Sequence, residues 1–311
     1  MSDRRVAAID IGTNSVLLLV ASGSTERIVP LLERATITRL GEAVDRTRRL
    51  DARAVERTLA CLSEYASELR AQRVDALEVV GTSAMRDAEG GSEFVAAAEA
   101  LLGVRPRTID GIEEARLTFA GSLSGLGLQG AVTVFDVGGG STEIIHGDAR
   151  ATDSPASAVS LDIGSVRLFE RHVRSDPATR DELRLVASDI RRALASAPPG
   201  DPQSALVGVA GTVTTLAAIE LRLDDYDPAR VHGHSMSFES VSAIADRLAA
   251  MDLSARRALP GLEPKRADVI VVGAEIVRQV MLWAEKSSVR VSDRGVRWGL
   301  AERLVRSSSG I

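Results

Sequence analysis

The chain has 311 residues, of which 45% are hydrophobic, 26% charged and only 3% aromatic, a profile of soluble globular protein with aliphatic cores and room for two domains. A net charge of −5 excludes a broad basic surface, so no nucleic-acid partner is expected, and the scarcity of aromatics argues against a base-stacking platform. The single cysteine, Cys61, rules out an internal disulfide and suits a reducing, cytoplasmic location.

Taken in chain order, residues 6–11 and 16–21 read as buried strands around a turn, and 28–40 as a third strand region. Arg4 and Arg5 precede the first apolar run, but Asp10, Thr13 and Asn14 interrupt it, so a secretory leader is not expected. No apolar run is long enough to span a bilayer, so no membrane is expected as a partner. Residues 51–72 form an amphipathic helix with Val55, Leu59, Leu62, Ala66 and Leu69 at helical spacing. A strand over 76–80 leads into GTSAMRD, read as a loop, then a helix over 92–102 and a short strand over 107–109. The helix DGIEEARLTFAGSL starts at Asp110, three residues before Glu113, in a capping-box-like arrangement. Strands over 132–137 and 143–146 flank a second turn, and another strand is expected over 156–161. A helix over 179–197, a strand over 206–210, helices over 212–221, 237–250 and 264–285, a strand over 289–291 and a helix over 297–305 complete the chain. The pattern is α/β, with each half opening on antiparallel strands and then alternating helix and strand.

Two stretches echo each other: AAIDIGTNSVLLLV, with Asp10, and TVFDVGGGSTEII, with Asp136. Consecutive glycines Gly138, Gly139 and Gly140 let several backbone N–H groups approach phosphate oxygens closely, and Ser141 adds a hydroxyl. Asp136 ends a buried strand and Glu143 lies on the return strand, a placement that suits a cation or a water. The plainer reading is a hairpin with glycines for shape and Asp136 as a turn cap. The repeat favours the phosphate reading, with two loops facing across a cleft and magnesium held through carboxylates and waters.

Other features are ambiguous from the residues alone. Glu113 and Glu114 both suit the first turn of a helix through its dipole, and either could instead be a general base. Arg86 follows a strand, where ligands bind in open α/β sheets, and reads equally as a solvated arginine. VGVAGTVTTLAAIE is either a nucleotide-receiving helix start or an ordinary strand–helix junction. GLGLQG has the form of a dinucleotide fingerprint but follows a helix and precedes a strand, so it is a linker. His232 and His234 make an H-x-H pair with no evident third zinc ligand, and a loop is the simpler reading.

The ordered set DIGTNS, GTSAMR, EEARL, DVGGGSTE, GVAGTVTTLA, RADVIVVGAEI and VSDRGVRWGL resembles the Ppx/GppA phosphatases, the exopolyphosphatases and guanosine pentaphosphate phosphohydrolases of the actin-like superfamily. The resemblance covers essentially the whole chain. It implies two ribonuclease-H-like domains with mixed sheets and a cleft between them, over residues 1–118 and 119–299, with 300–311 packing back on the first. It implies Glu114 as catalytic base and Asp136, Glu143 and Asp10 as the carboxylates near Mg²⁺. It assigns phosphate binding to Thr13, Asn14, Ser15, Arg86, Gly138, Gly139, Gly140 and Ser141.

The implied activity is magnesium-dependent hydrolysis of terminal phosphoanhydride bonds. Inorganic polyphosphate is the first choice of substrate and pppGpp, a stringent-response nucleotide, the second. The alternatives of another class are an actin-like ATP-binding protein or kinase and a non-catalytic polyphosphate or alarmone sensor. Long members of the family carry a further helical, HD-like region. The sequence read here ends at Ile311, so the resemblance is to the short form, without the region thought to aid a processive grip on long polyphosphate. A homodimer is a family-level expectation only.

Overall fold

The computed structural model describes residues 4–24, 27–89 and 91–307. The chain divides into two compact units, Met1–Gly121 with Val296–Ile311, and Ser122–Gly295.

The first unit is built on strands β1 (Arg5–Ile11), β2 (Ser15–Ser24), β3 (Arg27–Ile37), β4 (Ala76–Gly81) and β5 (Arg107–Thr108), in the order β3-β2-β1-β4-β5. β1, β2 and β3 pair antiparallel, whereas β4 and β5 join β1 in parallel. β1 is buried on both faces, which is why it reads as a continuous apolar run rather than an alternating one. Ala7, Ile9 and Ile11 pack with Leu62, Tyr65 and Leu69 of the helix Ala52–Gln72 and Phe94 of the helix Ser92–Leu102. Val6 and Ala8 pack on the opposite face with Leu117 of the helix Gly111–Leu123 and Trp298, Leu300 and Val305 of the helix Val296–Ser307. Gly299 allows that last helix to approach: a Cβ there would stand 2.2 Å from the Leu117 carbonyl oxygen. Residues 308–311 of the expected packing segment lie outside the described residues.

The second unit carries β6 (Ala131–Val137), β7 (Thr142–Asp148), β8 (Ser157–Leu161), β9 (Ala205–Val209), β10 (Ser235–Ser237) and β11 (Ser288–Val291), in the order β10-β11-β9-β6-β7-β8. β6, β7 and β8 are antiparallel neighbours, and β9 and β11 extend the sheet in parallel. The run β8-β7-β6-β9-β11 therefore repeats β3-β2-β1-β4-β5 with the same sense at every step. This is the duplicated ribonuclease-H-like sheet. An aliphatic core that includes Phe135, Ile144, Ile190, Leu216, Ile244 and Val277 joins the sheet to its helices.

Several local readings are corrected. GTSAMRD is not a loop: Ser83–Asp87 closes into a short helix. The third strand ends at Ile37, short of residue 40. The long helix over 264–285 is a 3₁₀ turn, Pro264–Arg266, followed by a separate helix Ile270–Trp283. The helix Ser165–His172 went unread because it is only eight residues long, too short for a periodic pattern. The segment around the two histidines contains the short strand β10. Among the described residues no helix is long and apolar enough to cross a membrane.

Candidate active site

In both units the first two strands meet in the same turn. Gly12 N donates to Ser15 O at 3.0 Å, and Gly138 N donates to Ser141 O at 3.0 Å. The strand registers match as well, Asp10 standing opposite Leu17 and Asp136 opposite Glu143. Only the second copy therefore has a carboxylate on each strand. Both are buried, Asp136 to 8% exposure and Glu143 to 1%. Ser160 on β8 donates to Glu143 Oε1 at 2.6 Å, fixing that carboxylate. Like charges directly opposite on neighbouring strands repel, so the pair calls for compensating positive charge. Two carboxylates are also the donor set that magnesium takes from protein, with the rest of its shell left to water and phosphate. No group of three or more His, Cys, Asp or Glu side chains placed to hold a metal occurs among the described residues.

The second turn is held from one side. Gly138 O accepts from Ser165 N at 3.0 Å, and Gly139 O accepts from Val166 N at 2.9 Å and Arg167 N at 3.0 Å. Gly140 O accepts from Arg167 Nε at 2.6 Å. In a trans peptide the C=O of one residue and the N–H of the next point in opposite directions. The N–H groups of Gly139, Gly140 and Ser141 are thus aimed away from the helix Ser165–His172, and among the described residues none of them donates to the protein. Three aligned N–H groups left undonated form an anion cradle.

The first turn is held by a different segment with the same effect. Thr13 O accepts from Gly41 N at 2.8 Å, and Asn14 O accepts from Thr38 N at 3.1 Å and Arg39 N at 2.9 Å. Thr13 Oγ1 and Asn14 Oδ1 are buried and have no hydrogen-bond partner among the described residues. Buried polar atoms of this kind are uncommon and fit a site completed by ligand or water. Ser15 opens β2, and Asp10 is buried beside the turn. The signal in sequence for both clasps is a glycine. A Cβ on Gly41 would stand 2.2 Å from Thr13 Cγ2, and one on Gly164 would stand 2.4 Å from Gly139 O.

Glu113 and Glu114, indistinguishable by spacing, are separated by the fold. Asp110 Oδ1 accepts from Glu113 N at 2.7 Å and caps the helix. The Glu113 carboxylate takes two hydrogen bonds from Arg107 and one from Arg303, and the Arg107 guanidinium holds it below the usual carboxylate range. Glu114 instead points inward, is 8% exposed, and accepts from Arg86 Nη1 at 2.6 Å. Burial pushes its carboxyl above the usual range, opposed by Arg86 and reinforced by Asp87. Arg86, on the short helix Ser83–Asp87, also donates from Nη1 to Ile109 O at 3.0 Å, so that nitrogen pairs Glu114 within the protein.

The remaining candidates are plainer. GLGLQG joins a helix to β6, with Gly125, Gly127 and Gly130 all at positive φ. The histidine pair diverges: His232 Nδ1 lies 3.0 Å from Asp293 Oδ1, whereas His234 Nε2 lies 2.5 Å from Glu220 Oε2. In VGVAGTVTTLAAIE, β9 runs directly into the helix Ala210–Glu220, with Ala210 at φ 69° and no side-chain cap.

The two sheets repeat one topology, with a strand–turn–strand loop at the same place in each copy. The chain belongs to the Ppx/GppA phosphatase family, whose model matches residues 19–308, and with it to the phosphate-releasing hydrolases. It is 37% identical to exopolyphosphatase 2 of Mycobacterium tuberculosis, the match covering 98% of this chain and 99% of that one. It is 29% identical to the guanosine-5'-triphosphate,3'-diphosphate pyrophosphatase of Vibrio atlanticus, over 96% of this chain and 59% of that one. A solved family member from Aquifex aeolicus superposes with a TM-score of 0.83 at 32% identity, covering 99% of each chain.

Proposed function

We propose that the chain is a magnesium-dependent, cytoplasmic exopolyphosphatase that releases phosphate from the end of inorganic polyphosphate. The observation that carries this reading is the 138–141 turn, whose three undonated N–H groups lie beside the opposed carboxylates Asp136 and Glu143. A terminal phosphoryl group offers three oxygens to such donors, and preorganised donors need no rearrangement as charge develops. Gly138, Gly139, Gly140 and Ser141 hold that group, and Thr13, Asn14 and Ser15 form the corresponding phosphate-binding turn of the first unit. Glu114 takes a proton from the attacking water. A buried carboxylate with a raised pKa is a stronger base than an exposed one, and Arg86 keeps it ionised and oriented. Oxygen of that water bonds to the terminal phosphorus in line as the bridging P–O bond breaks, and the shortened chain leaves with the bridging oxygen. Asp136 and Glu143 would hold magnesium, which neutralises phosphoryl charge when bound; Asp10 is the corresponding acid of the first unit. The identity to a named exopolyphosphatase over nearly the full length of both chains supports polyphosphate as substrate. The single cysteine supports the cytoplasmic assignment.

A second reading, removal of the terminal phosphate of pppGpp, is favoured by the Vibrio relative. Phosphate release measured in parallel on short polyphosphate, long polyphosphate, pppGpp and ATP, with and without Mg²⁺, ranks the two. The first reading expects the highest kcat/KM on polyphosphate, a preference for pppGpp selects the second, and release from none overturns both.

A further inference from the structure

We propose that Arg167 is a positioning residue that aims the Ser141 N–H at the substrate. This rests on the reading of the 138–141 turn as a phosphate cradle. Arg167 is 6% exposed, and its Nε donates to Gly140 O at 2.6 Å. The other two glycine carbonyls are held by backbone donors of the helix Ser165–His172, which any sequence would supply. The third is out of their reach and depends on a side chain. Fixing Gly140 O fixes the opposite end of the same peptide plane, the Ser141 N–H. Without that hydrogen bond the peptide is free to turn, and the cradle keeps two aligned donors instead of three. The guanidinium also lies 3.9 Å from Asp162, whose side chain is 88% exposed, an ion pair of little strength by itself.

The test uses pairs that separate donor from charge. In Arg167→Gln the side-chain nitrogen occupies the topological place of Nε and keeps the donor without the charge. In Arg167→Met a methyl carbon stands there with similar bulk and no donor. Arg167→Lys keeps the charge and moves the donor further out. Steady-state phosphate release from short polyphosphate by the full chain is followed for each, with thermal unfolding as the check on folding.

Turnover by the wild type is the test of the phosphatase reading itself. Given that turnover, the Met variant is expected to raise KM about tenfold while kcat changes less, and the Gln variant to stay within about threefold of the wild type, the scale of one hydrogen bond. Equal damage in Gln and Met with rescue by Lys would overturn the proposal, because charge would then matter and aim would not. Unchanged KM in a folded Met variant would also overturn it. If the Met variant does not fold, Gln against Lys carries the same decision: Gln nearer the wild type supports the proposal, and Lys nearer overturns it.

Discussion

Arg86 Nη1 donates to Glu114 Oε2 at 2.6 Å, a contact that opposes the effect of burial on the one buried glutamate in its helix turn. Burial raises the Glu114 carboxyl and Arg86 lowers it, so the two work against each other. A raised folded-state value means that the stability this group contributes is present below the ordinary carboxylate range and is lost as pH rises through the folded value. Activity needs the ionised form and runs the other way, so kcat/KM should fall on the acidic side at a pH above the ordinary carboxylate range. Replacing Arg86 with Met should move that acidic limb upward by about 1–3 pH units, the usual effect of an adjacent opposite charge. A pH–rate profile with an unmoved limb would remove Glu114 from the role of base.

The neighbouring glutamates should separate sharply on mutation. Glu114→Gln is expected to lower kcat on the order of 10²–10⁴, the usual scale of general-base catalysis. Glu113→Gln should leave kcat within about twofold and cost about 0–1 kcal/mol, since its arginine network is largely exposed. Single-turnover phosphate release together with chemical denaturation of both variants measures the two effects.

Magnesium should act through stability as well as rate. Asp136 and Glu143 stand opposite each other on neighbouring strands, where like charges are unfavourable, so Asp136→Asn should raise the metal-free Tm or leave it unchanged. In the wild type, Mg²⁺ at 100 times its Kd should stabilise by about 2.7 kcal/mol, and this gain should shrink in Asp136→Asn and Glu143→Gln. Calorimetry with and without Mg²⁺ decides, and an undiminished gain in both variants would move the metal elsewhere.

The clasp behind the second turn can be tested without touching any donor. A Cβ on Gly164 would stand 2.4 Å from Gly139 O, so Gly164→Ala must displace either the turn or the helix start. A stability loss of about 1–3 kcal/mol is expected, as for overpacking generally. Phosphate release at saturating substrate should fall with it. Ser165 N, Val166 N and Arg167 N would lose their acceptors together, and hydrogen exchange at those three amides reports this directly.

Much of the site was legible because it is local. An aspartate at the end of a strand, glycines after it and hydroxyls next carry their meaning within seven residues, and the repeat of that pattern at Asp10 and Asp136 pointed to duplication. The aliphatic strands were legible for the same reason, as periodicity and continuous apolar runs are short-range signals. Helix limits and the short helix at Ser165 were not, because capping and packing against the turn decide them.

The sequence by itself determined the duplicated α/β pattern, the two turns, the shortlist of carboxylates and arginines, and a family resemblance carried by spaced motifs. Tertiary structure alone decided among equals on that shortlist. Glu113 and Glu114 are adjacent and chemically identical, and only the positions of Arg107, Arg303 and Arg86 send one outward into ion pairs and the other into a buried site. Glu143 and Asp136 became a pair only through strand register, and Arg167 gained its role only when its helix docked behind a turn 27 residues earlier in the chain. The physical reason is the same in each case. Burial and charge pairing depend on distances through space, and a linear sequence records only distances along the chain.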